Sequence, residues 1–208
     1  MNKKISPLQR DTLIEVVNIG ASNASTSLSK LLGENVKVSI PELTLNKLEK
    51  IPNFIGKPED TATVVLLKTS GDTPGTMFLL FEPESTLNIT GKLTKNKKKD
   101  IKILDNEDQS ALRELGNILI GSCITSLANF LKINLIQSVP ETATDMIGSV
   151  TNSILANLGM VTDEILAFKV DMIIKKEKIK AQMFFLFEPK ASQKILSTTK
   201  SLIDEKNN

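Results

Sequence analysis

The sequence contains no histidine and a single cysteine, Cys123. The absence of histidine excludes Ser-His-Asp triads, HExxH zinc sites and imidazole general bases. A single cysteine excludes a disulfide framework within the chain and a metal site built from thiolates. Any chemistry must therefore use carboxylates, amides, hydroxyls, lysines or groups that a partner supplies.

Excess charge of one sign and long apolar runs are also lacking. The formal net charge is only +2, which is too small to indicate binding to nucleic acid or to an acidic membrane. The basic run at 95–99 has no aromatic neighbours to stack on bases, and we interpret it as a solvated linker. No apolar run approaches the ~18 residues of a membrane span, and the N-terminus leads into polar sequence. We expect a cytoplasmic, soluble protein.

What the sequence does contain is an internal repeat. The run EVVNI at 15–19 recurs as ELGNI at 114–118, and SIP at 39–41 recurs as SVP at 138–140, both with an offset of 99. The run MFLLFEP at 77–83 returns as MFFLFEP at 183–189 with an offset of 106. We place the insertion that explains this change within residues 143–163. The chain is predicted to be one domain, 1–208, built from repeats at about 6–93 and 105–205.

Each half predicts the same order of elements. Ser6 and Pro7 are a helix start, and Gly33 is a helix stop. The predicted elements are long helices at about 7–32 and 106–131, the second capped by Asp105 or Asn106, and a short extended segment after each, which ends at Pro41 or Pro140. They also include strands at 63–69, 76–81, 164–174 and 181–187, closing helices at 84–93 and 190–205, and helical spacing at 147–158. The predicted fold class is α/β (α+β), with two pseudo-symmetric halves that share one largely antiparallel sheet and two long helices packed on it.

The two long helices carry similar polar faces. On the first helix this face holds Asp11, Glu15, Asn18, Ser22 and Ser25, and on the second it holds Ser110, Glu114 and Asn117. The predicted core sides hold Leu13, Val17, Gly20, Ala24, Leu28 and Leu31, and then Leu112, Leu119, Cys123, Leu127 and Phe130. We therefore expect Cys123 to behave as an inert small hydrophobe.

A single Glu-x2-Asn on a polar helix face needs no functional explanation. Asparagine inside a helix, however, costs about 0.5 kcal/mol relative to alanine. Here Asn18 and Asn117 occupy the same mid-helix position in both halves, each three residues after a glutamate. We therefore predict two functional sites, formed by the pairs Glu15/Asn18 and Glu114/Asn117.

Such a pair is chemically sparse. Its carboxylate can pair with a lysine of a partner, and its carboxamide can orient a water molecule. With no nucleophile, strong base or metal beside it, the pair is too weak for an unactivated ester or amide. It suits an acyl phosphate whose metal ion the partner already holds, because that hydrolysis depends mainly on positioning and electrostatics.

Both segments resemble the signature of the CheC/CheX/FliY phosphatases of chemotaxis, Asp/Ser-x3-Glu-x2-Asn-x22-Pro. The matching segments are Asp11-x3-Glu15-x2-Asn18-x22-Pro41 and Ser110-x3-Glu114-x2-Asn117-x22-Pro140. Two signatures in about 200 residues are most similar to CheC.

The resemblance implies a protein aspartyl-phosphate phosphatase, a hydrolase that acts on the phosphorylated response regulator CheY. In that family mechanism the glutamate engages a lysine of CheY and the asparagine aligns water for in-line attack. The chain would need no metal or cofactor of its own, since the Mg²⁺ belongs to CheY. Asp11 and Ser110 are expected to support docking or to cap the local geometry rather than to perform chemistry, and Pro41 and Pro140 to be structural.

The two signatures are not equally complete. Val17 and Ser22 stand where members of the family commonly carry glycine, whereas the second helix has Gly116 and Gly121 at the equivalent positions. Val17 is expected to alter packing more than chemistry, and Ser22 to hinder close approach. We therefore predict the second site to be the stronger one.

Two alternatives stay open at this point. The chain could be a non-catalytic CheC-like adaptor that binds CheY or the receptor deamidase CheD, a further partner that the resemblance implies. It could also be a purely structural duplicated domain, in which both surface asparagines are accidental. Burial of either Glu/Asn pair in the folded protein would remove that site.

Overall fold

The computed structural model describes residues 5–158 and 164–206. The helices in this part of the chain are α1 (Pro7–Leu32), α2 (Ile51–Ile55), α3 (Pro83–Thr94), α4 (Asn106–Leu131), α5 (Ile147–Leu158) and α6 (Pro189–Lys206). The strands are β1 (Lys37–Val38), β2 (Glu42–Lys47), β3 (Thr61–Gly71), β4 (Gly75–Phe81), β5 (Leu135–Gln137), β6 (Glu141–Met146), β7 (Glu164–Ile174) and β8 (Ile179–Phe187). Every predicted helix and strand is present, and β2, β6 and α2 are additional.

All eight strands belong to one antiparallel sheet. Its order is β1-β7-β8-β4-β3-β5, with β2 also paired to β7 and β6 also paired to β3. Strands β1 to β4 come from the first half of the chain and β5 to β8 from the second. The short edge strands of each half therefore pair with a long strand of the other half. The predicted fold class, a duplicated α/β fold with a shared antiparallel sheet, is confirmed.

The two halves meet at β4 and β8 about a pseudo-twofold axis. Phe78 lies directly opposite Phe184 in the antiparallel register, and the two residues are equivalent in the repeat. Their buried rings stack with centroids 4.8 Å apart and an interplanar angle of 18°. The axis of the duplication therefore passes between these two rings.

The strand register corrects the predicted position of the insertion. Thr63 lies opposite Phe81 and Leu166 lies opposite Phe187, so that β3 and β7 are related by an offset of 103. The offset thus rises from 99 to 103 before β7 and reaches 106 only in the turn between β7 and β8. The prediction of a single insertion within 143–163 was wrong, because the turn at 175–178 contains part of it. Residues 159–163 lie outside the described part of the chain.

Both long helices begin at a reciprocal capping box. Ser6 Oγ accepts a hydrogen bond from the Gln9 amide N–H, and Gln9 Oε1 accepts one from the Ser6 N–H. At α4 the Asp105 carboxylate accepts a hydrogen bond from the Asp108 N–H, and the Asp108 carboxylate accepts one from the Asp105 N–H. Each box satisfies backbone donors that a helix start leaves open. The caps therefore define where each helix begins.

Lys98 is tied to this cap rather than solvated, which corrects the interpretation of the basic run. Its Nζ lies 2.6 Å from Asp105 Oδ2 and 3.8 Å from Asp108 Oδ2, and its side chain is 17% exposed. The hydrogen bond lowers the pKa of the Asp105 carboxyl and raises the pKa of Lys98. One lysine of the run thus helps to define the start of α4.

The long helices pack against each other and against one face of the sheet. A Cβ atom at Gly20 would lie 2.6 Å from the Cα of Cys123, so the two backbones meet at this point. Burial raises the pKa of the Cys123 thiol to about 12, in agreement with the prediction of an inert hydrophobe. A second core, which includes α2, α5 and both axis phenylalanines, covers the other face.

Two face assignments near the end of α1 were wrong. Leu31, predicted to be in the core, is 51% exposed, and Leu32 is buried instead. Ser25, predicted to face solvent, is buried and its Oγ donates a hydrogen bond to the Val36 carbonyl at 2.8 Å. The chain turns back after Gly33 and covers this side of the helix, an arrangement that helical periodicity alone does not predict.

Among the described helices, α4 alone is long and apolar enough to cross a membrane by length and hydropathy. Its apolar side packs on α1 and on the sheet. This is the environment of a core helix in a folded domain.

Candidate functional site

The first Glu/Asn pair lies on the outward side of α1. Asp11 and Glu15 are exposed, and Asn18 is half-buried. One helical turn separates the carboxylate from the carboxamide, so both project from the same face. The side chains of Glu15 and Asn18 form no hydrogen bond or ion pair with any residue that the structure describes. The pair is therefore accessible to a partner.

The second pair occupies the equivalent positions of α4. Ser110 and Glu114 are exposed, and Asn117 is half-buried. Together with Pro140 these residues line a shallow groove of about 450 Å³, which also includes Arg113 and the segment 137–139. The chain returns beside α4 after leaving it. The four residues of the second signature are therefore brought together on one surface.

A residue that the sequence analysis did not select contacts the second asparagine. Gln137 Nε2 donates a hydrogen bond to Asn117 Oδ1 at 2.7 Å. The Gln137 carboxamide reaches this position over Gly121, where a Cβ atom would lie 3.3 Å from Gln137 Oε1. The glycine therefore leaves room for the glutamine beside the asparagine.

The first site lacks this contact. By the offset of 99, Val38 stands where the second half has Gln137, and Ser22 stands where it has Gly121. A valine side chain has no donor to offer to Asn18. The two asparagines are thus alike in position but differ in what holds them.

The segment that follows each long helix is anchored on a strand of the other half. The Ser39 backbone N–H donates to the Asp171 carbonyl, and Ser39 Oγ accepts from the Asp171 N–H. Ser138 makes the same two bonds with Lys68. In each half, therefore, a serine and its neighbouring proline hold the residue between them in a defined place.

That middle residue is apolar and points into solvent in both halves. Ile40 is 75% exposed and Val139 is 80% exposed. Val139 belongs to the groove of the second pair, together with Asn117. Exposed apolar side chains that two halves place equivalently, next to an accessible polar pair, are typical of a contact surface for a partner.

The second helix also lies unusually close to the sheet just before its asparagine. A Cβ atom at Gly116 would come 2.5 Å from Cγ1 of Val65 on β3. The equivalent position on α1 holds Val17, whose side chain is buried. As predicted, Val17 belongs to the packed side of α1. The glycine therefore lets α4 approach the sheet more closely than a larger residue would allow.

The family of the chain follows from two comparisons with known proteins. The sequence profile of the CheC-like family matches residues 8–45 and 107–143, the two segments that carry the Glu/Asn pairs and prolines. The CheY-P phosphatase CheC of Bacillus subtilis (strain 168) is 34% identical over 184 residues, covering 86% of this chain and 87% of that protein. This chain belongs to the CheC family.

Solved structures show the same fold. FliY of Thermotoga maritima superposes with a TM-score of 0.73 at 19% identity, covering 94% of this chain and 98% of the FliY chain. The CheX chain of a CheX-CheY-BeF3-Mg²⁺ complex from Borrelia burgdorferi gives a TM-score of 0.56 at 16% identity, covering 89% and 99%. The resemblance that the two signatures indicated is confirmed.

The chemical resources of this CheC-family site are limited. Within residues 5–158 and 164–206, no group of three or more Cys, Asp or Glu side chains is placed to hold a metal ion. Like Glu15, Glu114 makes no ion pair or hydrogen bond with any described residue. Each site therefore offers a free carboxylate and a carboxamide, which can bind a cation and orient water.

Identities between the two halves do not indicate Gln137, because the equivalent residue of the first half is Val38. The informative signal is a difference: at the offset of 99, a valine of the first half corresponds to a glutamine of the second. A polar residue that replaces an apolar one in a duplicated segment marks where the two sites have diverged.

Proposed function

We propose that this chain dephosphorylates the aspartyl phosphate of the response regulator CheY. The observation that carries the proposal is the presence of two accessible Glu/Asn pairs at equivalent positions of α1 and α4. The Bacillus relative is a CheY-P phosphatase, and the Borrelia CheX was solved in complex with CheY, BeF3 and Mg²⁺. Both support CheY as the substrate protein.

In the proposed reaction the chain positions water and CheY supplies the reacting groups. Glu15 or Glu114 pairs with a lysine of CheY, and Asn18 or Asn117 orients a water molecule in line with the phosphorus atom. Water attacks the phosphorus atom, and the bond between phosphorus and the aspartate oxygen breaks. The aspartate carboxylate is the leaving group, and inorganic phosphate is the product. The Mg²⁺ that neutralises the phosphoryl oxygens is bound by CheY.

Docking is the second part of the proposal. Asp11 and Ser110 stand one turn before the glutamates and are proposed to contact CheY without taking part in the chemistry. The exposed Ile40 and Val139 are proposed to pack on the apolar surface around the CheY active site. Such contacts would exclude bulk water from the phosphate and leave only the oriented water molecule.

The test is the lifetime of phosphorylated CheY from the same organism, measured with substoichiometric amounts of this protein. Asn18→Ala and Asn117→Ala should each remove the contribution of one site, by up to about 100-fold at that site, because the water is no longer oriented. The double variant should leave only spontaneous hydrolysis. Asn23→Ala and Asn129→Ala replace exposed asparagines elsewhere on the same helices and serve as matched controls.

The outcomes separate the hypotheses. If the double variant shortens the lifetime as well as wild type, the Glu/Asn mechanism is wrong. If wild type binds CheY or CheD but leaves the lifetime unchanged, the adaptor hypothesis replaces the phosphatase. CheD binding itself remains a prediction of the family resemblance.

A further inference from the structure

The two sites differ most in what contacts the asparagine. We infer that Gln137 is a positioning residue that makes the second site turn over faster than the first. This inference rests on the proposed phosphatase function and adds a residue that lies outside the family signature. It concerns the rate of the chemical step, not the docking of CheY.

The geometry that supports this role is a direct amide–amide contact. Gln137 Nε2 lies 2.7 Å from Asn117 Oδ1, the distance of a short and well-formed hydrogen bond. Gln137 belongs to β5, which pairs with β3 through Gln137 and Thr69. The donor is therefore mounted on the sheet, whereas the acceptor is on α4. The bond links the reactive side chain to a second, rigid element.

The bond leaves Asn117 chemically competent. A carboxamide oxygen has two acceptor positions and its nitrogen carries two donor hydrogens. Gln137 occupies one acceptor position, so one acceptor position and both donors remain for water and phosphoryl oxygens. What the bond removes is the freedom of the amide to rotate or flip before CheY docks.

In the first site the Asn18 side chain has to become ordered each time CheY docks. The Asn18 side chain makes no hydrogen bond with any described residue, and Val38 and Ser22 replace the glutamine and the glycine that accommodates it. A side chain that is free before docking occupies the productive conformation roughly two- to tenfold less often than one that is already ordered. We therefore expect the second site to have a kcat about two to ten times that of the first.

The experiment compares proteins that retain one site each. Glu15→Ala with Asn18→Ala leaves only the second site, and Glu114→Ala with Asn117→Ala leaves only the first. The kcat and the KM for phosphorylated CheY are measured for both. If neither protein shortens the CheY-P lifetime, the proposed function fails. If both do so at equal kcat, only the positioning role fails.

Substitution of Gln137 then tests the bond itself. In the protein that retains only the second site, Gln137→Leu should lower kcat about two- to tenfold with KM unchanged, because the donor is lost while the side-chain volume is nearly kept. Gln137→Glu has the same shape but no donor at neutral pH, and should lose at least as much. Thr125→Ala, an exposed change elsewhere on α4, is the control for nonspecific effects.

A reciprocal variant tests whether the glutamine and glycine of the second site have the same effect in the first site. In the protein that retains only the first site, Val38→Gln combined with Ser22→Gly should raise kcat toward that of the second site. Unchanged kcat in Gln137→Leu and Gln137→Glu would overturn the inference. An increase would do so as well, because it would mean that Gln137 restrains Asn117 from reacting. A similar loss when Gln137→Leu is placed in the protein with only the first site would indicate general damage and would also overturn it.

Discussion

Replacement of Gly116 by alanine tests how closely α4 approaches the sheet. Two effects oppose each other at this position. Alanine favours the helix over glycine by about 1 kcal/mol. The new Cβ, however, would lie 2.5 Å from Cγ1 of Val65, well inside van der Waals contact.

Val65 has little freedom to move away from this contact. It is fully buried on β3 and paired on both sides, with Leu79 on β4 and Thr142 on β6. Its branched Cβ leaves few rotamers open. Overpacking of this kind typically costs about 1–3 kcal/mol. Because the helix gain offsets about 1 kcal/mol of it, we expect Gly116→Ala to lower the free energy of unfolding by up to about 2 kcal/mol.

A double-mutant cycle isolates the contact. In a Val65→Ala protein the Cγ1 atom is gone, and Gly116→Ala should then stabilise by up to about 1 kcal/mol, the helix term alone. The two effects of the same substitution should differ by about 1–3 kcal/mol. The assay is urea unfolding of the four proteins, with free energies compared at matched m-values.

The sign of the change in unfolding free energy caused by Gly116→Ala shows whether α4 lies as close to Val65 as the structure has it. If Gly116→Ala stabilises both backgrounds equally, α4 does not approach Val65 as the structure has it. Gly121→Ala is the matched control on the same helix, since its nearest neighbours are the terminal atoms of the Gln137 side chain at 3.3 and 3.5 Å. Those atoms can yield, so most of the helix gain should appear there.

Three further predictions concern the contact surface, the thiol and the helix cap. Val139→Ala and Ile40→Ala should raise the KM for phosphorylated CheY by up to about 15-fold and about 60-fold, since two and three carbons at about 0.8 kcal/mol each no longer become buried; an unchanged KM would argue against this surface. Cys123 should react with thiol reagents only after unfolding, because its pKa is raised to about 12 and it is buried; modification of the native protein would contradict this. The Asp105 carboxyl has a lowered pKa in the folded state, chiefly because of its hydrogen bond with Lys98, so this pairing stabilises the fold above pH about 4 and is lost as pH falls through the lowered value. Lys98→Met should therefore reduce Tm more at pH 7 than at pH 2, and an equal reduction at both would refute it.

Local chemistry in the sequence predicts the long helices well. Ser6 with Pro7 and Asp105 with Asp108 are capping signals that act within one turn, and both helices begin where those residues indicate. The strands β2 and β6 are different. Most side chains of β6 are exposed, and its extended shape comes from pairing with β3 of the other half. No local pattern encodes a strand that depends on a distant partner.

The candidate site is likewise predictable from the sequence only in part. Helical spacing predicts that Glu114 and Asn117 share a face. That Asn117 is half-buried and bonded to Gln137 depends on the path of the chain after α4 ends at Leu131, where β5 returns along the sheet. The same holds for Ser25, which periodicity assigned to solvent. Errors arose where a returning segment covers a helix.

The exchange of edge strands has a consequence for how such a protein can evolve. Ser39 is held by Asp171 and Ser138 by Lys68, so neither half completes its own site, and a half on its own would need a second copy to provide the missing strand. In a symmetric pair of identical copies every substitution enters both sites at once. Joining the halves in one polypeptide removes that constraint. Val38 in one half and Gln137 in the other are a divergence that a symmetric pair of identical copies does not permit.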